Sequence, residues 1–272
     1  MNNILVLGAN GMLGRYVYTY LKRNPVKDYR ILHFTRNNLS LNGESITCLN
    51  RHLVLSKNDI VINCIGIVPQ RKDSNPLDSI LINSVLPHEL QYLCSALGAK
   101  LIHITTDCVF SGRTGGYDEK DEHDETSVYG KSKSLGEPDK ACVIRTSIIG
   151  EELRHKKSLL EWVKASKGQT INGYDNHLWN GVTCLELSKF IHHIIENNMI
   201  WEGVRHIHSP DVCSKFDLIT KINELYGLTV DIIPSFAPKS IYRTLDSIYD
   251  TTKLVTKSIK EQIREQKEYS LL

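Results

Sequence analysis

The chain lacks the features that mark membrane, secreted and strongly charged proteins. None of its apolar runs, in 272 residues, approaches the ~20 residues needed to span a bilayer. Its first residues lead directly into a short apolar run and show no secretory signal. The 33 basic and 31 acidic side chains leave a formal net charge of +2, and no basic block indicates a nucleic-acid partner. We therefore expect a cytoplasmic protein that binds neither nucleic acid nor membrane.

The cysteines also lack the patterns typical of a disulfide framework or a structural zinc site. There are seven of them, an odd number, and no two have Cys-x-x-Cys spacing. Several lie inside apolar runs, which indicates free thiols in a reducing compartment. No group of potential ligands has the spacing of a metal site, so we expect no metal.

Short apolar runs alternate with amphipathic stretches through the first 150 residues. This alternation predicts an α/β fold, a doubly wound parallel Rossmann sheet with a smaller C-terminal substrate-binding domain. We place the NADP(H)-binding domain at residues 1–150 and the smaller sugar-nucleotide-binding region at 151–272. Residues 183–208 are expected to return to the main sheet. The charged tail, 253–269, is expected to be helical and solvated.

A glycine loop with G-x-x-G-x-x-G spacing follows the first predicted strand and opens the first predicted helix. The first glycine allows a tight turn, the second lets the backbone approach a pyrophosphate, and the third permits close helix–strand packing. The positive end of the helix favours the bound anion. The predicted cofactor contacts in this loop are Gly8, Asn10, Gly11, Met12, Leu13 and Gly14.

The second strand indicates which dinucleotide is bound. A site that prefers NAD usually offers an acidic residue about 20 residues after the loop. The sequence has no acidic residue between Asp28 and Glu44, and Thr35-Arg36 ends the second predicted strand. Because a guanidinium suits the 2′-phosphate of NADP, we predict NADP(H) with Arg36 as a ligand. The alternative is a solvated surface arginine.

Three hydroxyl- and amine-bearing residues predict the reaction. Tyr129 and Lys133 are four residues apart, so they share one face of a predicted helix. We expect the ammonium to lower the pKa of the phenol, which then exchanges a proton as hydride moves. Thr106 lies at the end of the fourth predicted strand, where it can hold a reacting carbonyl. Lys133 is also expected to contact the nicotinamide ribose. A surface tyrosine and a solvated lysine are the alternative interpretation.

Several further motifs resemble a known family. The chain is similar to extended short-chain dehydrogenases/reductases, and specifically to the dTDP-4-dehydrorhamnose reductase family. The motifs that carry the resemblance are Gly8–Gly14, Asn63-Cys64-Ile65-Gly66, Asn83-Ser84, Thr105-Thr106-Asp107-Cys108-Val109-Phe110-Ser111-Gly112, Tyr117-Asp118-Glu119, Tyr129-Gly130-Lys131-Ser132-Lys133, Gly136-Glu137, Arg145-Thr146-Ser147 and Asn180-Gly181-Val182-Thr183.

The resemblance implies NADPH-dependent reduction of the C4 ketone of a nucleotide-linked 4-keto-6-deoxy sugar. It implies that Cys64, Ile65 and Gly66 line the cofactor. The substrate contacts are expected to be Thr106, Asp107, Cys108, Trp179 and Asn180. Cys108 stands where the family more often has an aromatic residue, and 177–181 also differ from the commoner pattern. This variant resembles relatives that act on UDP-linked N-acetylamino sugars, so UDP and dTDP both stay open, and a homodimer is one expected assembly.

Cys108 has a second interpretation. Epimerase–reductases that resemble GDP-fucose synthases carry a cysteine base at a similar place, which removes a proton next to the ketone. A thiolate with a lowered pKa could act in this way and add 3- or 5-epimerase activity. Their partner histidine has no clean match here, since His155 and His177 both lie later in the chain. The alternative is a small residue that lines the pocket.

Two other functions fit the same fold. An NAD-dependent dehydratase or epimerase is disfavoured because the glutamate that dehydratases of this superfamily place after Thr-Asp is replaced by Cys108. A non-catalytic regulatory subunit is disfavoured because such proteins commonly lose the tyrosine, which this chain keeps. The acidic run 118–125 is expected to be a solvated loop.

Overall fold

The computed structural model describes residues 1–68, 75–153, 156–269 and 271. Its main sheet has six parallel strands in the spatial order β2-β1-β3-β4-β5-β10. The predicted α/β fold with a parallel sheet is confirmed. The strands are β1 (Asn2–Leu7), β2 (Tyr29–Phe34), β3 (Ile60–Asn63), β4 (Lys100–Thr106), β5 (Cys142–Thr146) and β10 (Gly203–His206).

Helices cover both faces of this sheet, so its strands are buried on both sides. Ile4 and Val6 of β1 face a core shared with α1 (Met12–Arg23) and α7 (Cys184–Glu196), whereas Leu5 and Leu7 face a second core shared with α4 (Leu86–Leu97). Alternating side chains of a strand point to opposite faces, which explains why β1 is apolar throughout. The helices of the first half are α1 (Met12–Arg23), α2 (Gly43–Thr47), α3 (Pro76–Ile80), α4 (Leu86–Leu97) and α5 (Val128–Ser134).

A π-helical turn separates α3 from α4. Residues Leu81–Val85 form a π-helical turn, and Pro87 lies in the first turn of α4. Such turns are rare and are frequent at functional sites. This one carries Asn83 and Ser84, which contact the helix of the predicted catalytic pair, as described below.

The C-terminal part packs three helices against three small sheets around a core of its own. Its helices are α6 (Leu159–Ala165), α8 (Lys215–Tyr226) and α9 (Ile259–Glu268), while α7 (Cys184–Glu196) joins the main sheet. The small sheets pair β6 (Ile148–Ile149) with β9 (Val182–Thr183), β7 (Thr170–Tyr174) with β12 (Asp231–Ser235), and β8 (His177–Trp179) with β11 (Cys213–Ser214) and β13 (Ile241–Tyr242). The division at residue 150 stays a prediction.

The expected solvation of the tail is wrong for α9. Ile259 and Ile263 are buried, and Gln262 and Gln266 accept hydrogen bonds from backbone N–H groups around the start of α7. Three polar or charged residues separate Ile259 from Ile263, so the buried stripe is narrow and easily missed in a charged sequence. Among the described residues, no helix is both long and apolar enough to cross a membrane.

The strand order creates a crevice where the functional motifs meet. From β1 the chain crosses to β2 on one side, and from β2 it returns past β1 to β3 on the other. The loops that follow β1 and β3 therefore diverge at the carboxyl edge of the sheet. Ligands of open parallel sheets bind at such a switch point.

Candidate active site

The glycine loop forms the tight turn that its spacing predicts. Gly8 has a φ of +78°, a conformation that favours glycine. Its N–H and that of Ala9 both donate to the carbonyl oxygen of Phe34 at the end of β2, and Gly11 N donates to Gly8 O at 2.8 Å. The loop is therefore held against β2, close to the segment that carries Arg36.

Close backbone contacts leave no room for a side chain at Gly14 and little room for one at Gly8. A Cβ on Gly14 would lie 2.2 Å from the carbonyl oxygen of Gly8, and one on Gly8 would lie 3.2 Å from the backbone of Cys64. Gly11 caps α1 without a side-chain hydrogen bond, and the first turn of the helix holds no acidic residue. The first N–H groups of α1 thus keep the capacity to bind an anion.

The remaining predicted cofactor residues surround this loop. Asn10 is exposed at its tip, and Met12 and Leu13 open α1. Cys64 N donates to Leu7 O, and Ile65 N donates to the buried side chain of Asn63, which fixes the chain after β3. Gly66 and Arg36 are both exposed. Gly66 follows β3 and Arg36 follows β2, and these two strands lie on opposite sides of β1. The described residues therefore offer a cradle of glycines and N–H groups that fits a dinucleotide, and these assignments stay predictions.

The catalytic hydroxyl and phenol meet at the end of β4. Thr106 Oγ1 donates to Asp107 Oδ1 at 3.1 Å and accepts from Cys108 N at 3.2 Å. The Tyr129 phenol lies beside the same threonine side chain, which acts to lower the pKa of the phenol. Tyr129 lies in the first turn of α5, whose N-cap Ser127 accepts from Gly130 N. The two predicted catalytic residues are thus in contact.

Two glycines and the π-helical turn fix the position of α5. A Cβ on Gly130 would lie 2.6 Å from Cys108 O, and one on Gly136 would lie 1.7 Å from Asn83 O. Asn83 Nδ2 donates to Ser132 Oγ, and Ser84 Oγ donates to Ser132 O. Because both ends of α5 touch backbone, a small displacement of the helix is blocked on either side.

Lys133 is buried one turn beyond Tyr129. Its Nζ donates to the carbonyl oxygen of Ile104 in β4 at 3.1 Å. Burial lowers the pKa of this amine to about 8, and the charges of Glu137 and Cys64 partly oppose that change. The amine therefore stays mostly protonated at neutral pH, although close to its titration range.

The expected lowering of the tyrosine pKa is wrong. Burial raises the pKa of the Tyr129 phenol above its usual value of 10, and the neighbouring Cys108 and Asp107 add to that effect. The Thr106 side chain and the charge of Arg243 oppose it only in part. Tyr129 is consequently a protonated phenol at neutral pH, which suits a proton donor rather than a base.

Cys108 does not have the lowered pKa that a cysteine base would need, again because of burial. Burial and the neighbouring Asp107 raise the pKa of this thiol to about 12, against the opposing effects of Arg243 and Thr106. Burial also raises the pKa of the Asp107 carboxyl. The thiol is therefore neutral near pH 7. Of the two histidines considered as its partner, His155 lies outside the described residues.

Trp179 ends β8, and Asn180 directly follows it. Asn180 is buried, and its amide makes two hydrogen bonds with the backbone of Leu245, donating at 2.7 Å and accepting at 2.9 Å. Trp179 is half-buried and packs against the C-terminal core. These contacts give Asn180 a role in holding the 245 segment, and direct contact of either residue with a substrate stays a prediction.

Arg243 is the functional residue that the sequence did not reveal. It follows β13 and donates to Phe110 O at 2.9 Å, to Glu125 Oε2 at 2.7 Å and to Cys108 Sγ at 3.6 Å. It is 135 residues from Cys108, so no local spacing could connect the two. It places a positive charge beside Cys108, Asp107 and Tyr129, whose pKa values it lowers.

The acidic run 118–125 is not simply a solvated loop. Glu119 accepts from His206 N and from Ser247 Oγ, and Asp124 accepts from Ser111. Glu125 pairs with Arg243, so Asp124 ties the run to the preceding loop, and Glu119 and Glu125 tie it to later parts of the chain. The sequence shows that these residues are acidic, but it does not show the distant N–H and O–H groups that donate to them.

A buried charge network supports α5 from below. Arg145 makes a bidentate ion pair with Glu137, one turn beyond Lys133. It also donates to Nε2 of His123 and of His206, both at 2.7 Å, which fixes both rings as acceptors at that nitrogen. Burial and Arg145 lower the pKa of His206 to about 4. The Arg145 motif of the sequence is therefore structural in its contacts.

A cleft of about 760 Å³ lies between α1, α6 and the C-terminal tail, where Arg15, Glu151 and Lys164 contribute to its walls. None of the predicted catalytic residues lines it. Within the described ranges, no group of three or more His, Cys, Asp or Glu residues is placed to hold a metal ion.

Comparison with known proteins supports the resemblance found in the sequence. The chain is 26% identical over 264 residues to dTDP-4-dehydrorhamnose reductase of Mycolicibacterium smegmatis, covering 90% of this chain and 78% of that one. It is 26% identical over 243 residues to the spore coat polysaccharide biosynthesis protein SpsK of Bacillus subtilis, covering 86% and 82%. The dTDP-4-dehydrorhamnose reductase of Bacillus anthracis, solved in complex with NADP, has the same fold, with a TM-score of 0.81, 20% identity and coverage of 98% and 99%.

The family itself is identified over nearly the whole length. The sequence profile described as the RmlD substrate binding domain matches residues 1–269, which includes the glycine loop, the triad and the C-terminal helices. The chain therefore belongs to the RmlD substrate-binding-domain family.

Proposed function

We propose that the protein is an NADPH-dependent reductase of the C4 ketone of a nucleotide-activated 4-keto-6-deoxy sugar. The observation that carries the proposal is the contact between Thr106 and a buried, protonated Tyr129, with Lys133 on the same helix face. This group lies at the carboxyl edge of a parallel sheet that also carries the glycine loop. Fold alone does not define a reaction, but these side chains in this order supply what ketone reduction needs.

The residues divide the reaction between them. The Thr106 hydroxyl and the Tyr129 phenol hold the C4 oxygen of the ketone, and the phenol donates its proton to that oxygen as C4 is reduced. Bound NADPH supplies the hydride. The glycine loop, the N–H groups of α1 and Arg36 hold the dinucleotide, and the Lys133 ammonium offsets negative charge that develops on the phenol oxygen.

The finer identity of the substrate rests on the named relatives. Reductases of dTDP-4-dehydrorhamnose and a spore coat polysaccharide protein are similar over most of the chain, which favours a deoxysugar on UDP or dTDP. Cys108 and the 177–181 segment differ from the commoner family pattern, which favours an N-acetylamino sugar on UDP. NADP(H) is favoured by the position of Arg36 after β2 and by the NADP complex of the B. anthracis reductase.

Reduction without epimerisation is favoured by the state of Cys108. A base must lose its proton near neutral pH, and a thiol pKa of about 12 leaves too little thiolate. Arg243, at 3.6 Å from the sulfur, and the Thr106 side chain both favour a thiolate. We therefore keep 3- or 5-epimerisation as the second candidate.

One experiment separates these functions. NADPH oxidation is followed by absorbance with UDP- and dTDP-linked 4-keto-6-deoxy sugars in deuterated water, and the product is analysed by NMR. Turnover without deuterium on the ring supports a simple reductase, while deuterium at C3 or C5 that disappears in Cys108→Ala supports epimerisation. Tyr129→Phe should lose turnover by a factor of about 100 or more while it keeps NADPH binding. Normal turnover by this variant contradicts the mechanism.

A further inference from the structure

Two buried polar atoms lie on one face of β4. His103 and Thr105 are two residues apart in this strand, so their side chains point to the same face of the main sheet. Both side chains are buried, and neither His103 Nε2 nor Thr105 Oγ1 has a hydrogen-bond partner among the residues that the structure describes. Because a buried polar atom without a partner is costly, the two atoms indicate that a small polar molecule completes their hydrogen bonding.

The contacts of Asn63 determine which nitrogen of His103 carries the proton. Ile65 N donates to Asn63 Oδ1 at 3.1 Å, so the amide nitrogen faces the ring and donates to His103 Nδ1, also at 3.1 Å. In a neutral imidazole the other nitrogen, Nε2, is then an N–H donor. The ring is neutral because burial, and then the charges of Lys133 and His88, hold its pKa well below 6.5.

The catalytic lysine contacts β4 between these two side chains. Lys133 Nζ donates to the carbonyl oxygen of Ile104, the residue that separates His103 from Thr105. An ammonium group has three N–H donors, and this is the one hydrogen bond that Lys133 makes with a described residue. Its remaining N–H groups can therefore reach the ribose of the cofactor and one further acceptor.

We propose that His103 and Thr105 hold a water molecule against the Lys133 ammonium, which makes them positioning residues for the catalytic lysine. This inference rests on the proposed function, because that function requires a charged Lys133. The water accepts hydrogen bonds from His103 Nε2–H and from Lys133 Nζ, and it donates one to Thr105 Oγ1. Three such partners are typical of a buried water.

This water favours the charged form of the amine. A hydrogen bond that an ammonium group donates stabilises its protonated state, in the same direction as the charges of Glu137 and Cys64, which raise the pKa of Lys133. Burial acts the other way and lowers that pKa. The water therefore helps to keep Lys133 protonated at neutral pH.

An NMR titration of Lys133 tests the water site without any substrate. The protein is labelled with ¹³C at the lysine Cε atoms and loaded with NADP, and the Lys133 signal is the one that is missing in Lys133→Met. His103→Phe and Thr105→Val each remove one contact of the water, and each should move the midpoint of the titration about one pH unit lower. His103→Gln keeps an N–H donor and should retain most of the wild-type value. Thr220→Val, in α8, removes another buried hydroxyl without a described partner and is the matched control, which should leave the midpoint unchanged.

The double variant shows whether the two residues act through one molecule. If they hold the same water, His103→Phe combined with Thr105→Val should titrate close to either single variant. Unchanged midpoints in both single variants, or two effects that add, refute the shared water. A crystal structure of the NADP-loaded wild type gives a second test that does not depend on the folding of any variant. A water within about 3.2 Å of both His103 Nε2 and Thr105 Oγ1 supports the site, and a structure without it refutes the site.

These outcomes are separate from those of the reductase assay. If Lys133 titrates as expected in the variants but the wild type reduces no 4-keto sugar nucleotide, the water site stands and the reductase is wrong. If a 4-keto sugar nucleotide is reduced while His103→Phe and Thr105→Val keep the wild-type midpoint, the reductase stands and the water site is wrong. If both hold, the pH at which kcat/KM falls should move lower together with the NMR midpoint.

Discussion

Replacing Lys133 by methionine is expected to stabilise the folded protein at neutral pH while it abolishes reduction. The amine is buried and donates to Ile104 O at 3.1 Å. The main charge that favours its protonated form is Glu137, which is already paired with Arg145. Methionine has a similar length and carries no charge, so the substitution removes the cost of burying an ammonium group.

The displaced pKa sets the size of this effect. Burial takes the pKa of Lys133 from 10.5 to about 8, and one pKa unit is worth about 1.4 kcal/mol. The charged amine therefore costs the folded state about 3 kcal/mol near neutral pH. Loss of the hydrogen bond to Ile104 O offsets about 1 kcal/mol of the gain. We expect a net stabilisation of about 2 kcal/mol for Lys133→Met.

The pH dependence of unfolding tests this reasoning. Below a pH of about 8 the lysine is protonated in both states, so the whole cost is present. Between that pH and 10.5 the folded state loses the proton first, and the wild type gains stability as pH rises. Urea unfolding near pH 7 and near pH 10 should therefore show that the difference in unfolding free energy between Lys133→Met and the wild type becomes smaller as pH rises. Lys131→Met, at an exposed position of α5, should change stability by less than about 0.5 kcal/mol.

A variant that is less stable near pH 7, or a difference in unfolding free energy that does not change with pH, refutes the assignment of a buried ammonium to Lys133.

Two further substitutions test the cofactor site. Arg36→Ala should raise Kd for NADPH about tenfold and leave that for NADH within a factor of about two, as measured by fluorescence titration; equal losses contradict its assigned role. Gly14→Ala places a Cβ 2.2 Å from Gly8 O and should destabilise the protein by about 2 kcal/mol and weaken both dinucleotides. Gly43→Ala, where a Cβ meets only a leucine methyl at 3.9 Å, is its control in thermal unfolding.

Local patterns in the sequence predict the parts of the site that are built from neighbours in the chain. The glycine loop, the end of β4 and the Tyr129–Lys133 pair each occupy a few consecutive residues, and their spacing reports the turn or helix that they form. Alternation of apolar runs likewise predicts the parallel sheet, because a strand buried on both faces is apolar throughout. These features depend on short segments whose geometry is nearly independent of the rest.

The remaining features depend on contacts across long separations. Arg243 reaches the catalytic loop from a strand near the end of the chain, and Gln262 binds the backbone at Thr183 from α9. Their residue types are ordinary for exposed positions, and only the fold shows that they face a distant donor or acceptor. The raised pKa of Tyr129 has the same origin, because helix spacing places Lys133 near the phenol but does not show that the phenol is buried.

Burial raises the pKa of Tyr129 and lowers that of Lys133, and these two changes predict the pH dependence of reduction. It keeps the proton on Tyr129, which is needed for donation to the ketone, and it makes Lys133 lose its proton earlier than a free lysine. The value of kcat/KM should therefore be constant near neutral pH and fall above a pH of about 8, as the Lys133 ammonium is lost.

Substitution of Glu137 provides a direct test of this fall in kcat/KM. The charge of Glu137 raises the pKa of Lys133, so Glu137→Gln should move the fall in kcat/KM to lower pH. Asp139→Asn, at an exposed position two residues later, should leave the profile unchanged. If the fall in kcat/KM occurs at the same pH in Glu137→Gln as in the wild type, a group other than Lys133 causes it. If kcat/KM falls only above pH 10, the phenol of Tyr129 causes the fall, and the Lys133 ammonium is not required for reduction.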